Sequence, residues 1–128
     1  MIFTLDHILK ILDGTKTMTR RSVKGRHYKV DQDYAVQPHR NKPSMFRIAI
    51  TGKKLERLGD ITPEDVKLEG YGSKEEFIEA WRSVNGGYNP QAEVIAYTFK
   101  LDPVYKAIGI GEMRKLKKIE RVCGNKPV

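Results

Sequence analysis

Leu5, Ile8, Leu9, Ile11 and Leu12 recur at helical spacing, which predicts a short helix over Leu5 to Asp13 with one buried face. Thr4 stands where an N-cap oxygen is needed and Gly14 where such a helix stops. The pattern then changes period. Thr17, Thr19 and Val23 are β-branched and favour a strand across 15–23, and strand alternation places Thr17, Thr19 and Arg21 on one face with Met18 and Arg20 on the other. A basic loop, KGRHYK, comes next. DYAVQ (33–37) and FRIAIT (46–51) read as two strands joined through the polar PHRNKPS segment, a hairpin whose second strand KKLERLGDI can prolong. Thr62, Pro63 and Asp65 have the order of a helix start, and Gly70 and Gly72 interrupt that helix. Ser73 with Glu76 opens a further helix carrying apolar Phe77, Ile78, Ala80, Trp81 and Val84. The turn NGGYNP closes it, and AEVIAYTFKL is the strongest strand in the chain. Beyond Pro103, Met113, Leu116 and Ile119 recur every third residue among basic neighbours, the pattern of an amphipathic helix. The organisation expected is one domain over 1–103 and a basic C-terminal extension, helical, over 104–128. One early helix, several strands, two middle helices and a last strong strand predict an α+β fold with a mainly antiparallel, barrel-like sheet.

Composition narrows the function classes. The 128 residues suffice for one core. At 39% hydrophobic and 31% charged, the balance is globular. No apolar run approaches the ~18 residues that span a bilayer. The N-terminus lacks a signal peptide's charged start and continuous apolar centre, so a cytoplasmic location and no membrane partner are expected. Cys123 is the single cysteine and His7, His27 and His39 are scattered, so neither a disulfide, a metal site nor any other cofactor is expected. The net charge of +8 is unevenly spread. Residues 1–29 hold seven basic and two acidic side chains, 30–103 ten and twelve, and 104–128 seven and two. Two basic ends suit a polyanion partner, although they also suit a solvated surface.

The densest polar group is Gly14-Thr15-Lys16-Thr17-Met18-Thr19-Arg20-Arg21, at the junction of the first helix and strand. It is not a phosphate-cradling P-loop, since it lacks the first glycine and runs helix to strand. Its chemistry would come from side chains: Lys16 as a point charge, Arg21 as a planar fork, Thr17 and Thr19 as hydroxyls. Arg20, Lys24 and Arg26 extend the basic character, and Tyr88, in a Gly/Asn/Pro turn, is the aromatic most expected to be exposed for stacking on a base. Tyr71 and Trp81 are further aromatics, with core packing expected for Trp81. His27 and Tyr28 in the basic loop are additional stacking candidates.

The segment Gly14–Arg21 reproduces the G-x-K-T-x-T-x-R signature of the ASCH domain family, and further pieces resemble that family in the same order. These are Leu58-Gly59-Asp60-Ile61-Thr62, Glu64-Asp65, Glu69-Gly70, Glu76-Phe77, Trp81, the turn Asn85 to Pro90 and the strand Val94 to Phe99, so the resemblance covers roughly residues 3–101. It implies a PUA-like fold, a small mixed pseudo-barrel flanked by short helices with a cleft on one side, and an association with RNA. Some family members resemble an amidohydrolase that removes the acetyl group from the exocyclic amine of acetylated cytidine with a Lys, a Thr and a Glu. Carried over by position, these fall on Lys16, Thr19 and Glu69. The basic loop Lys24 to Lys29, the PHRNKPS connection and the residues after Leu101 depart from the family pattern.

Three functions are expected on these grounds. The first is an RNA- or nucleotide-binding module whose cleft is lined by the signature segment. The second is an amidohydrolase acting on a modified nucleoside, with Thr19 activated by a Lys16 whose pKa has fallen from ~10.4 and Glu69 orienting it. The third is a ribonuclease, which two suitably placed histidines would favour and this sequence does not offer.

Overall fold

The computed structural model of the protein describes residues 1–102; the expected helical extension and Cys123 lie outside the described residues. Helix α1 (Leu5–Leu12) is capped by the Thr4 hydroxyl, which accepts from the His7 amide, and Gly14 leaves it with a left-handed φ of 86°. Strand β1 (Met18–Ser22) follows, then β2 (Asp33–Val36) and the long β3 (Phe46–Arg57). A 3-10 turn (Leu58–Asp60) leads into α2 (Pro63–Leu68), then α3 (Lys74–Asn85) and β4 (Glu93–Leu101). The caps are those the sequence offers. Thr62 accepts from the Asp65 amide, Ser73 from the Glu76 amide, and Gly86 closes α3 in the left-handed conformation.

The four strands form one sheet in the order β1-β4-β3-β2, antiparallel at every pairing. Among the described residues, the mixed character expected of it reduces to a single parallel bridge, Ile2 with Gln37. That bridge lays the N-terminal segment beside β2, while the Arg21 Nη2 of β1 donates to the Ile2 carbonyl at 3.0 Å. The N-terminal segment is thus tied to the β2 side by its backbone and to β1 by one side chain, and the sheet itself stays open with β1 and β2 at its edges.

Strand alternation divides the apolar residues of β4 between two cores. Ile95, Tyr97 and Phe99 pack with Ile8, Ile11 and Leu12 of α1 and with Ile48 and Ile50 of β3. Val94 points the other way, into a smaller cluster with Leu58, Ile61, Val66 of α2 and Phe77 of α3. Helix α1 therefore covers one face of the sheet and the α2–α3 pair covers the other. The two meet at the free edge of β1, where the Thr17 amide donates to the Leu68 carbonyl at 2.9 Å and the Lys16 amide to the Lys10 carbonyl at 3.0 Å.

Candidate functional site

Lys16 sits in the connection between α1 and β1, and backbone bonds from three elements fix it. Its own amide is held by α1, and the next residue, Thr17, binds α2 through its amide and β4 through its carbonyl, which accepts from Phe99. The side chain runs inward and is only 2% exposed. Its ammonium reaches three acceptors: the Met18 carbonyl at 2.8 Å, the Glu69 carbonyl at 2.7 Å and the Glu69 Oε1 at 3.3 Å. Burial lowers its pKa to about 8; the Glu69 carboxylate opposes that shift, and Arg21 and Lys10 add to it.

Glu69 is the residue on which α2 ends, and it is as buried as Lys16. Its second oxygen accepts from Arg20 Nη1 at 3.0 Å. Arg20 lies opposite Ala96 in the sheet register and so shares the α2–α3 face, as the alternation predicts. There its guanidinium also bonds Glu56 of β3 through Nε and Asp65 of α2 through Nη2. Its side chain is wholly buried. The sequence grouped Arg20 with residues that touch nucleic acid; the structure engages its guanidinium with three carboxylates, Glu69 among them, at the floor of the cleft described below.

Thr19 and Arg21 fall on the opposite face of β1. Arg21 Nε donates to the Thr19 hydroxyl at 3.2 Å, leaving the hydroxyl proton to donate elsewhere, and its guanidinium lies 4.8 Å from the centre of the Phe3 ring. The remaining Nη1 has no hydrogen-bond partner among the described residues. Burial lowers the Arg21 pKa, with no effect on its charge at neutral pH.

These side chains floor a cleft of about 600 Å³ at the edge of β1. Its walls come from α1, which contributes His7, and from the far side, which contributes Tyr71 and Trp81. Ile2 and Val84, both exposed, line it as well. Lys16, Thr19 and Glu69, the three positions carried over from the resemblance, all line this cleft, and Arg21 lines it with them. Thr17 lines a separate groove beside Phe99. Lys24 and Arg26 are exposed on the loop after Ser22 and do not line the cleft, Arg26 lying over the Tyr28 and Tyr34 rings. Tyr28 is core rather than loop surface, buried between Tyr34 and Tyr97, whereas His27 is exposed. Tyr88 is half-buried against the second core, while Trp81, expected to be core, packs there and also faces the cleft.

His7 went unremarked in the sequence beyond its isolation. Its ring lies 5.1 Å from that of Tyr71, and burial, reinforced by Lys16 and Lys10, lowers its pKa to about 4. Burial likewise raises the Tyr71 phenol to about 12, with Glu69 and Asp6 adding to it. The available signal was helical spacing, since His7 and Lys10 are three apart on α1 and both approach Tyr71. Among the described residues no group of three His, Cys, Asp or Glu is placed to hold a metal ion, and no helix is long and apolar enough to cross a membrane.

No family model matches the sequence, and no curated protein matches it. The fold has relatives among solved structures. An ASCH domain from Lactobacillus crispatus JV V101 superposes with a TM-score of 0.62 at 19% identity, over 73% of this chain and 69% of that one. Protein EF3133 from Enterococcus faecalis V583, assigned to DUF984, gives 0.60 at 13% identity, over 77% and 73%. The hypothetical protein PH0355 gives 0.60 at 14%, over 78% and 94%. Likeness at such identities speaks to fold, and the class it defines is α+β of the PUA-like kind. Within that class the chain has the fold of the ASCH domain.

Proposed function

We propose that the cleft binds a single nucleotide of RNA, or a free nucleoside, by its base. The observation that carries this reading is the composition of the floor. Lys16, Arg20, Arg21 and Glu69 line it, and Glu56 and Asp65, which do not, stand behind Arg20, so the cations of the floor are offset by carboxylates in and beneath it. Such a floor gives no advantage to a phosphate and suits a neutral, planar ligand rich in hydrogen-bonding groups. Arg21 Nη1 and the Thr19 hydroxyl offer it donors, Trp81 and Tyr71 offer it aromatic surface, and the cleft volume lies in the range of small-molecule sites. Phosphates of a longer chain would meet Lys24 and Arg26 on the loop that leaves the cleft at Ser22. Binding is tested by calorimetry with ribonucleosides and by fluorescence anisotropy with a short single-stranded oligoribonucleotide. Arg21→Met is expected to weaken both. Added salt, raised from about 50 to 200 mM, is expected to weaken only the oligonucleotide, because only it displaces counterions. Undetectable binding of either at low salt, or unchanged binding by Arg21→Met, would sink the reading.

A second reading, hydrolysis of an N-acetylated cytidine, is favoured by the lowered pKa of Lys16 next to Glu69. Thr19 Oγ1 would attack the acetyl carbonyl, its proton passing to neutral Lys16 and on to the departing amine, and water would then release acetate from the threonine ester. The three acceptors around the Lys16 ammonium hold it as a fixed cation at neutral pH, which is why binding is placed first. Acetate release that rises with pH through about 8 and vanishes in Thr19→Val is the signature of this reading. Release unaffected by Thr19→Val would exclude that route.

A further inference from the structure

The wall that α1 gives to the cleft is built around His7. This half-buried residue lies in the first turn of the helix, its ring packed against Tyr71 at an interplanar angle of 57°. Its backbone amide is bound by Thr4, but neither ring nitrogen has a hydrogen-bond partner among the described residues. No buried polar side-chain atom there is left unsatisfied, so the imidazole nitrogens reach the solvent of the cleft. Packing rather than hydrogen bonding therefore orients the ring.

The groups facing His7 are Lys10 and Asp6 on its own helix, Lys16 and Arg21 from the β1 side, and Tyr71 in contact with its ring. The cations outnumber the single carboxylate, so a further positive charge on the ring is disfavoured and a neutral imidazole persists. A neutral imidazole carries one donor and one acceptor. Arg21 and Thr19 supply donors; among the acceptors, Glu69 has both oxygens engaged by Lys16 and Arg20 and Asp6 has Oδ2 engaged by Lys10 at 3.3 Å, whereas the His7 acceptor has no partner among the described residues.

We propose that His7 is the specificity-determining residue of the cleft, accepting a hydrogen bond from an exocyclic amine and so favouring amine-bearing bases over those with a carbonyl in its place. The inference rests on the nucleotide reading above and names the feature of the ligand that is read. A placed acceptor favours a partner that brings the matching donor, because a carbonyl in that place faces a second acceptor unless the ring moves its proton to the facing nitrogen.

The experiment is calorimetry of cytidine, adenosine and uridine with the wild-type chain, His7→Phe and His7→Gln. His7→Phe keeps an aromatic ring against Tyr71 but removes both nitrogens, and His7→Gln restores a neutral donor and acceptor. The wild type is expected to prefer cytidine and adenosine over uridine by about tenfold or more. His7→Phe, melting as the wild type does, should bind all three within about twofold, and His7→Gln should recover most of the preference. The wild-type preference should also stay level between roughly pH 5.5 and 7.5, where an ordinary histidine would titrate. A preference that survives in His7→Phe, or one that inflects near pH 6.5, overturns the assignment of His7 while leaving the nucleotide reading intact. Absence of binding by all three nucleosides to the wild type overturns that reading itself, and this inference with it.

Discussion

Lys16 carries two opposed effects on one atom. Three acceptors favour its charged form, and burial disfavours it more, so the folded-state pKa of about 8 lies below the ~10.4 of a solvated lysine. Below about pH 8 both the folded and the unfolded chain hold the proton, and the burial penalty is present in full. Between about 8 and 10.4 the unfolded chain binds a proton that the folded chain has released, so stability rises with pH across that window. Urea unfolding of the wild type compared with Lys16→Met should therefore show an increment that grows from about pH 8 toward 10 and is missing from the variant. Parallel curves would mean that Lys16 is solvated. The signature segment singled out Lys16, Thr19 and Arg21, which all line the cleft. The partners of Arg20 were not legible, because Glu56, Asp65 and Glu69 come from a strand, a helix and a helix end that only the tertiary fold brings to one guanidinium. Alternation told which face Arg20 would take and nothing about what waits there.

The decisive element is the end of α2. Glu69 closes the helix with near-helical dihedrals, and Gly70 then reverses the chain at a φ of 100° so that Tyr71 returns beside α1. A Cβ at Gly70 would lie 3.1 Å from Lys10 Cδ, and the Gly70 carbonyl accepts from Lys10 Nζ at 2.7 Å. Gly70→Ala is therefore expected to cost about 1–2 kcal/mol from the left-handed backbone alone. It should also weaken ligand binding, because Glu69 and Tyr71 flank the strained residue. Unchanged stability on thermal or urea unfolding would contradict this. Gly70 was readable as a break in the sequence, as were the caps at Thr4, Thr62, Ser73 and Gly86, since each is a local matter of one side chain or one missing Cβ. The turn after α3 was less legible. Its Gly/Asn/Pro composition suggests an exposed Tyr88, but bonds from the Leu58 and Gly59 amides to the Ala92 and Pro90 carbonyls fold that turn onto the second core.

At the scale of the whole molecule, two small cores on opposite faces of one sheet leave a seam at the free edge of β1, and the seam is the cleft. Period and capping conveyed the element order and the α+β class, because each strand and helix carries its own pattern. They could not convey the seam, which depends on β1 being an edge strand paired with the last strand in the sequence rather than the next. The net charge of +8 suits a polyanion partner, yet the cations of the cleft floor are offset by carboxylates in and beneath it. On the proposed reading, surface charge and site chemistry serve different parts of one ligand, the backbone outside and the base within.

Trp81 is the single tryptophan of the chain and lines the cleft, so its emission reports on occupancy without a label. The most direct measurement is a titration of that emission with ribonucleosides in the wild type and in Arg21→Met. A saturable change in the wild type, requiring distinctly more ligand in the variant, is the predicted result. Emission that stays constant at millimolar nucleoside, or that changes identically in both proteins, would contradict a base-binding cleft at the edge of β1.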